Sequence, residues 1–214
     1  MKVVLVDDHK IIRDGLRAIL DDQPGIQVVG EAADGHEAIA VVRTTCPDVV
    51  VMDVSMRGLN GIDATRRIVD ELPTSKVIGL SMNADRRYVL AMLSAGAAGY
   101  LLKDAAADEL IHALQTVVAG RTYLSPAITG IVIETAVHAS QPVAALASAL
   151  SIREREVLQL LAEGCTSKEI GNQLYVAITT VETHRRQIMS KLGLRTIAEL
   201  TKYAIREGLT ALDS

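Results

Sequence analysis

The first 120 residues alternate between two hydrophobic rhythms. Short apolar runs fall at 3–6, 49–52 and 77–80, with another at 26–29 interrupted by Gln27, and a Gly/Ala-rich one at 97–102. Between them apolar residues recur at helical spacing. Successive sets are Ile11, Ile12, Leu16, Ile19 and Leu20; Ala38, Ile39, Val41 and Val42; Ile62, Thr65, Ile68 and Val69; Val89, Met92 and Leu93; and Leu110, Ile111, Leu114, Val117 and Val118. A β-branched run that never alternates with polar residues reads as a strand buried on both faces. Five alternations of strand and helix predict a parallel sheet with helices on both sides. Turn residues stand where connections are needed, at Pro24-Gly25, Asp34-Gly35, Pro47, Gly58, Pro73 and Gly96.

The rhythm then changes. Residues 121–148 hold one basic and one acidic residue and are punctuated by Pro126 and Pro142. Ile128, Ile131, Val132 and Thr135 fit one face of a short helix, and the rest, with His138, reads as a solvated tether. From residue 149 the parsing comes from capping boxes, in which a Ser or Thr is followed three residues later by Glu. They are Ser151/Glu154, Thr166/Glu169, Thr179/Glu182 and Thr196/Glu199. Gly164, Gly193 and Gly208 stand where left-handed C-terminal caps would close three helices. Four helices follow, near 152–163, 167–174, 180–192 and 197–207. Val157, Leu160, Leu161, Ile170, Leu174, Val181, Ile188, Leu192, Ile197 and Leu200 supply their core. Only a few residues around 175–178 separate the second from the third, which is helix-turn-helix spacing.

Charge sharpens the division. Residues 1–120 carry a net −5 and residues 149–214 a net +1, so only the C-terminal part suits nucleic acid. Aromatics are confined to five Tyr, leaving the cores to Val, Ile, Leu, Ala and Met. Cys46 and Cys165 show no metal spacing and fit a reducing cytosol. Asp7 and Asp8 interrupt the first apolar run too early for a signal peptide, and no run approaches the ~18 residues of a membrane span. The expected location is the cytoplasm, with no membrane partner.

The ends of the predicted strands carry the chemistry. The first ends in Asp7 and Asp8, the third in Asp53, the fourth in Ser81 and the fifth in Lys103. A parallel sheet gathers such ends on one edge, where open α/β sheets bind ligands. Three carboxylates repel unless a positive charge joins them. A hard divalent cation such as Mg2+ suits them. With the Lys103 ammonium and Ser81 hydroxyl, the set suits phosphoryl transfer, with Asp53 the nucleophile that becomes an aspartyl phosphate. In the third C-terminal helix, Val181, Ile188 and Leu192 point inward. Thr180, Thr183, Arg186, Gln187 and Lys191 then lie outward with Arg185 nearby, the residue types that read base edges and contact phosphates.

Residues 1 to about 120 resemble the receiver domain of two-component response regulators, on VDDH, MDVSM…GLNGI, LSMNA and GYLLKD. The resemblance implies a flavodoxin-like strand order 2-1-3-4-5. It implies Mg2+ on Asp8, Asp53 and the backbone carbonyl of Ser55, with Asp7 assisting through water. Ser81 and Lys103 would hold the phosphate, and Ser81 and Tyr100 would act as the switch. Arg57 stands where that family usually has Pro.

The C-terminal segment resembles the DNA-binding domain of the LuxR/NarL/FixJ family, on LSIREREVLQLLAEG, TSKEIGNQL, TTVETHRRQIMSKLGL and IAELTKYAIREG. Ala177 replaces the usual capping Ser. Thr179 with Glu182 offers another cap, which leaves Glu182 either a cap acid or a base reader. His184 is expected to pack internally. Dimerisation would fall on the last helix, at Ile197, Leu200 and Ala204. Expected domains are 1–122 receiver, 123–147 linker with a short helix, and 148–214 helix-turn-helix. The implied protein is a transcription factor, not an enzyme, limited to its own phosphorylation and dephosphorylation. A histidine kinase would charge Asp53, and a homodimer would then bind promoter DNA, with RNA polymerase a further candidate contact. A phosphohydrolase would need an acid at Ser55. A regulator that binds DNA without phosphorylation is the remaining alternative.

Overall fold

The computed structural model describes residues 1–82, 84–105, 107–138 and 150–210. Contacts divide the chain into two units, Met1–Val137 and His138–Ser214. No helix among the described residues is long and apolar enough to cross a membrane. Residues 139–147 of the expected linker lie outside the described residues, and His138, expected in its tether, ends a helix.

The first unit is a parallel α/β sheet. Its elements in order are β1 (Lys2–Val6), α1 (Lys10–Asp21), β2 (Gln27–Ala32), α2 (Gly35–Thr45), β3 (Val49–Asp53), α3 (Gly61–Glu71), β4 (Lys76–Ser81), α4 (Arg86–Ser94), β5 (Gly99–Leu102), α5 (Ala107–Val118), β6 (Tyr123–Leu124) and α6 (Pro126–His138). The strand order is β2-β1-β3-β4-β5-β6, with every pairing parallel. The unbroken apolar runs have the expected cause. Val4, Val6, Val50 and Met52 enter a core shared with α2, α3 and α4. Val3, Leu5, Val49 and Val51 enter a second core with Leu20 of α1 and Leu110, Leu114 and Val117 of α5.

The sheet has one strand more than expected. β6 lies in the stretch read as linker, where Tyr123 N–H donates to Ala98 O at 3.1 Å and Ser125 N–H to Tyr100 O at 3.1 Å. Two residues are too few to show a period of two. α6 follows at once. Ile128 is fully buried in the α2–α4 core, with Ile131 and Val132 packed against it.

The order places a switch point between β1 and β3. The chain leaves β1 for β2 on one side and returns to β3 on the other, opening a crevice beyond the strand ends. Asp7 and Asp53 stand on its two sides.

The second unit is α-helical, with α7 (Ile152–Ala162), α8 (Ser167–Gln173), α9 (Ile178–Leu192) and α10 (Ile197–Arg206). Three capping boxes form, Ser151/Glu154, Thr166/Glu169 and Thr196/Glu199. The box at Thr179/Glu182 does not. α9 starts at Ile178 behind Ala177, which has no side-chain cap, and Glu182 turns instead to the Ser167 hydroxyl of α8. Leu150, Val157, Leu158, Leu161, Ile170, Val181, Ile188, Leu200 and Ala204 share one core. Ile197, expected in it, is exposed.

Candidate functional site

Local structure delivers each group to the crevice. Asp53 ends β3, where its neighbours Met52 and Val54 are buried. Directly behind it α3 begins at Gly61, capped by the Asn60 side chain, which accepts from Asp63 N–H at 2.9 Å. A Cβ at Gly61 would stand 1.9 Å from the Asp53 carbonyl oxygen, so only glycine lets α3 start this close to the strand. Lys103 follows β5, and its N–H donates to Ser81 O at 2.7 Å.

The side chains converge. Lys103 Nζ lies 2.6 Å from Asp7 Oδ2 and 2.9 Å from Asp53 Oδ2. Asp53 Oδ1 accepts from Ser55 N–H at 3.2 Å. Asp7 Oδ1 accepts from His9 N–H at 2.9 Å. His9 Nδ1 lies 2.7 Å from Asp8 Oδ1 and 3.3 Å from Asp7 Oδ1. Asp7 is fully buried and Asp53 is 2% exposed. One buried ammonium therefore serves two buried carboxylates, with Asp8 a third acid in the same cluster.

That imbalance is visible in the ionisation of the pocket. Burial pushes the Asp53 carboxyl from 3.8 up to about 6; Lys103 opposes the shift and Asp7 reinforces it. Burial works against the Lys103 ammonium, but Asp53 and Asp7 outweigh it and hold its pKa above the usual value. Asp7, Asp8, His9 and Asp53 each offer a ligand atom, all within 4.8 Å of one another. An oxygen-rich, net-negative set of this size fits a small divalent cation.

Ser81, the last residue of β4, is buried, and its side chain is hydrogen-bonded to the phenol of Tyr100. Tyr100 is itself fully buried, which pushes its hydroxyl up to about 12. Asp7, Asp8, Asp53 and Lys103 are thus brought together, and Ser81 and Tyr100 adjoin them as a hydrogen-bonded pair. His9, the fourth letter of VDDH, received no role from sequence reasoning. Its place directly after two acids, at the N-cap of α1, was the available signal.

In the second unit α9 presents Thr180, Thr183, Arg186 and Gln187 to solvent. Arg186 lies along the helix, donating to Glu182 O at 3.3 Å and Thr183 Oγ1 at 3.4 Å. Arg185 is half-buried, with Nη1 3.8 Å from Glu182 Oε2. Glu182 contacts Ser167 and Arg185 and does not cap α9. Lys191 does not stand free beside them: its Nζ is 2.7 Å from Glu154 Oε2 on α7. His184 is half-buried and its Nδ1 is enclosed, in keeping with internal packing. The dimer residues need correcting. Leu200 and Ala204 are fully buried in the core of their own unit, and only Ile197 is exposed.

Comparison with known proteins bears on both units. Residues 3–115 match the family model of the response regulator receiver domain. Residues 148–204 match that of the bacterial regulatory proteins of the luxR family. The oxygen regulatory protein NreC of Staphylococcus aureus (strain MRSA252) is 41% identical over 98% of this chain and 99% of its own length. A two-component response regulator of the LuxR family from Aurantimonas sp. SI85-9A1 is 39% identical, covering 64% of this chain and 97% of that one, with a TM-score of 0.61. The structure of two RcsB dimers bound to two parallel DNAs is 28% identical, covering 97% of this chain and 98% of that one, with a TM-score of 0.59.

Proposed function

The chain belongs to the two-component response regulators that join a receiver domain to a LuxR-type DNA-binding domain, and we propose that phosphorylation of Asp53 by a histidine kinase controls its binding to promoter DNA. The observation that carries this reading is the Lys103 ammonium shared by Asp7 and Asp53 at the sheet's switch point.

An Asp53 carboxylate oxygen attacks the phosphorus of a phosphohistidine. The new O–P bond forms as the P–N bond breaks, and the imidazole leaves with the electron pair. The attack needs an unprotonated Asp53, and Lys103 favours that form. Mg2+ would be held by Asp8, Asp53 and the Ser55 carbonyl, with Asp7 assisting through water, and when bound supplies positive charge to the transferring oxygens. Lys103 then pairs with a phosphoryl oxygen. The Ser81 hydroxyl turns to another, breaking its hydrogen bond to Tyr100. That exchange is the switch: the phosphoryl group stabilises an arrangement of β4 and β5 that exists beforehand at low population. Moving it from mostly off to mostly on takes about 5.5 kcal/mol of differential stabilisation.

The output is a homodimer acting in the cytoplasm, with α9 in the major groove and Arg186, Gln187, Thr180 and Thr183 toward the DNA. The DNA-bound dimers of RcsB support this part. Ile197 is an exposed apolar residue of α10 available to a partner copy. RNA polymerase is a candidate contact at the promoter.

Binding to promoter fragments with and without a small phosphodonor and Mg2+ tests the reading, for wild type and Asp53→Asn. Phosphodonor tightens binding by wild type alone. Equal binding by both proteins under all conditions indicates a constitutive regulator, and steady turnover of phosphate esters indicates a phosphohydrolase.

A further inference from the structure

We propose that the His9 imidazole is a direct ligand of the cation in the acidic pocket, so that the site takes a divalent first-row transition ion more tightly than Mg2+. The inference rests on the reading that Asp8 and Asp53 hold a cation. It adds a nitrogen donor to an otherwise all-oxygen set.

Spacing is the first support. Octahedral bonds of about 2.1 Å at right angles put neighbouring donor atoms about 3.0 Å apart. His9 Nδ1 lies 2.7 Å from Asp8 Oδ1, close to that edge. The orientation of the ring is the second. His9 is the N-cap of α1, yet its side chain makes no cap hydrogen bond. The ring nitrogen instead lies against the carboxylates. Access is the third: the His9 side chain is 67% exposed while Asp7 is fully buried, so an entering ion meets the imidazole at the rim.

Donor chemistry then selects the ion. Carboxylates and carbonyls suit Mg2+ and Mn2+ alike, whereas imidazole favours the first-row transition ions. A site with both kinds of donor gains more from Mn2+ than from Mg2+.

The test uses the full chain stripped of metal, titrated by calorimetry with Mn2+ alone and Mg2+ alone, and pulsed electron paramagnetic resonance of the Mn2+ form. His9→Ala is compared with His9→Asn, which improves the helix cap while removing the imidazole. Wild type shows nitrogen coupling to Mn2+ that both variants lose. Mn2+ affinity falls roughly tenfold or more in both, while Mg2+ affinity changes little. Absence of nitrogen coupling in wild type, or equal Mn2+ affinity in all three, overturns the proposal. So does tighter binding of both ions by the variants, which would make His9 a countercharge that competes with the cation. Asp53→Asn separates the two readings. If it abolishes Mn2+ binding while wild type lacks nitrogen coupling, the pocket stands and His9 does not. If it leaves Mn2+ binding unchanged, both fall.

Discussion

Asp53→Asn should make the metal-free protein more stable, although it removes the residue on which the proposed function depends. Asp53 is 2% exposed. Burial raises its carboxyl from 3.8 to about 6, against Lys103 and with Asp7 adding to the rise. A rise of about two pKa units, at about 1.4 kcal/mol per unit, costs about 3 kcal/mol when the group is ionised. The sign follows from proton release. Below the ordinary value the carboxyl is protonated in both folded and unfolded chains, and no cost arises. Between about pH 4 and 6 the unfolded chain gives up its proton first, so stability falls as pH rises. Above about 6 the loss is complete. Asparagine keeps the shape and still accepts from Lys103, but it cannot ionise. In chelator the variant should therefore match wild type near pH 4 and exceed it by up to about 3 kcal/mol at pH 7.5. Added Mg2+ should narrow the gap by stabilising wild type alone. Urea unfolding followed by hydrogen exchange of β1 and β3 peptides reads this unit separately from the helical one. A variant no more stable than wild type at pH 7.5, or a gap that does not shrink toward pH 4, refutes the reasoning.

Gly61→Ala should force α3 away from the Asp53 carbonyl, given the 1.9 Å approach of the added methyl. A loss of at least about 1–3 kcal/mol is expected, with phosphoryl uptake reduced although Asp53 is intact; an unchanged melting transition would contradict this. Leu200→Ala should destabilise the helical unit by about 2–5 kcal/mol through a core cavity. Ile197→Glu should instead leave the melt unchanged and weaken self-association in sedimentation; the reverse pattern would return Leu200 to the dimer surface. Arg186→Ala should weaken promoter binding and lower its salt dependence while leaving Asp53 chemistry intact; unchanged binding removes Arg186 from the interface.

The strand ends were legible because a parallel sheet buries both faces of each strand. Val49 to Met52 had to be apolar throughout, and the first polar residue had to mark the exit. Placing Asp7, Asp53, Ser81 and Lys103 on one edge needed only that inference and the direction of the strands. What escaped the sequence was set by tertiary contacts. Thr179/Glu182 has the letters of a capping box, but Ser167 on a neighbouring helix takes the glutamate. Lys191 looks like a free base on an outward face until Glu154 is folded against it. On α10 an apolar stripe serves equally for a core or a dimer seam. The core shared by the four helices claims Leu200 and Ala204, and leaves Ile197 outside. β6 was too short to carry a pattern, and His9 was hidden by following two residues that already explained the motif.

The central claim is that one aspartyl oxygen, set against a shared ammonium and a cluster of acids, takes a phosphoryl group. Intact-mass analysis and peptide mapping after incubation with a small phosphodonor and Mg2+ test it most directly. The expected result is a single phosphoryl adduct on the peptide containing Asp53 in wild type, and none in Asp53→Asn. An adduct that persists in the variant, or a wild-type protein that takes up no phosphoryl group under these conditions, would contradict it.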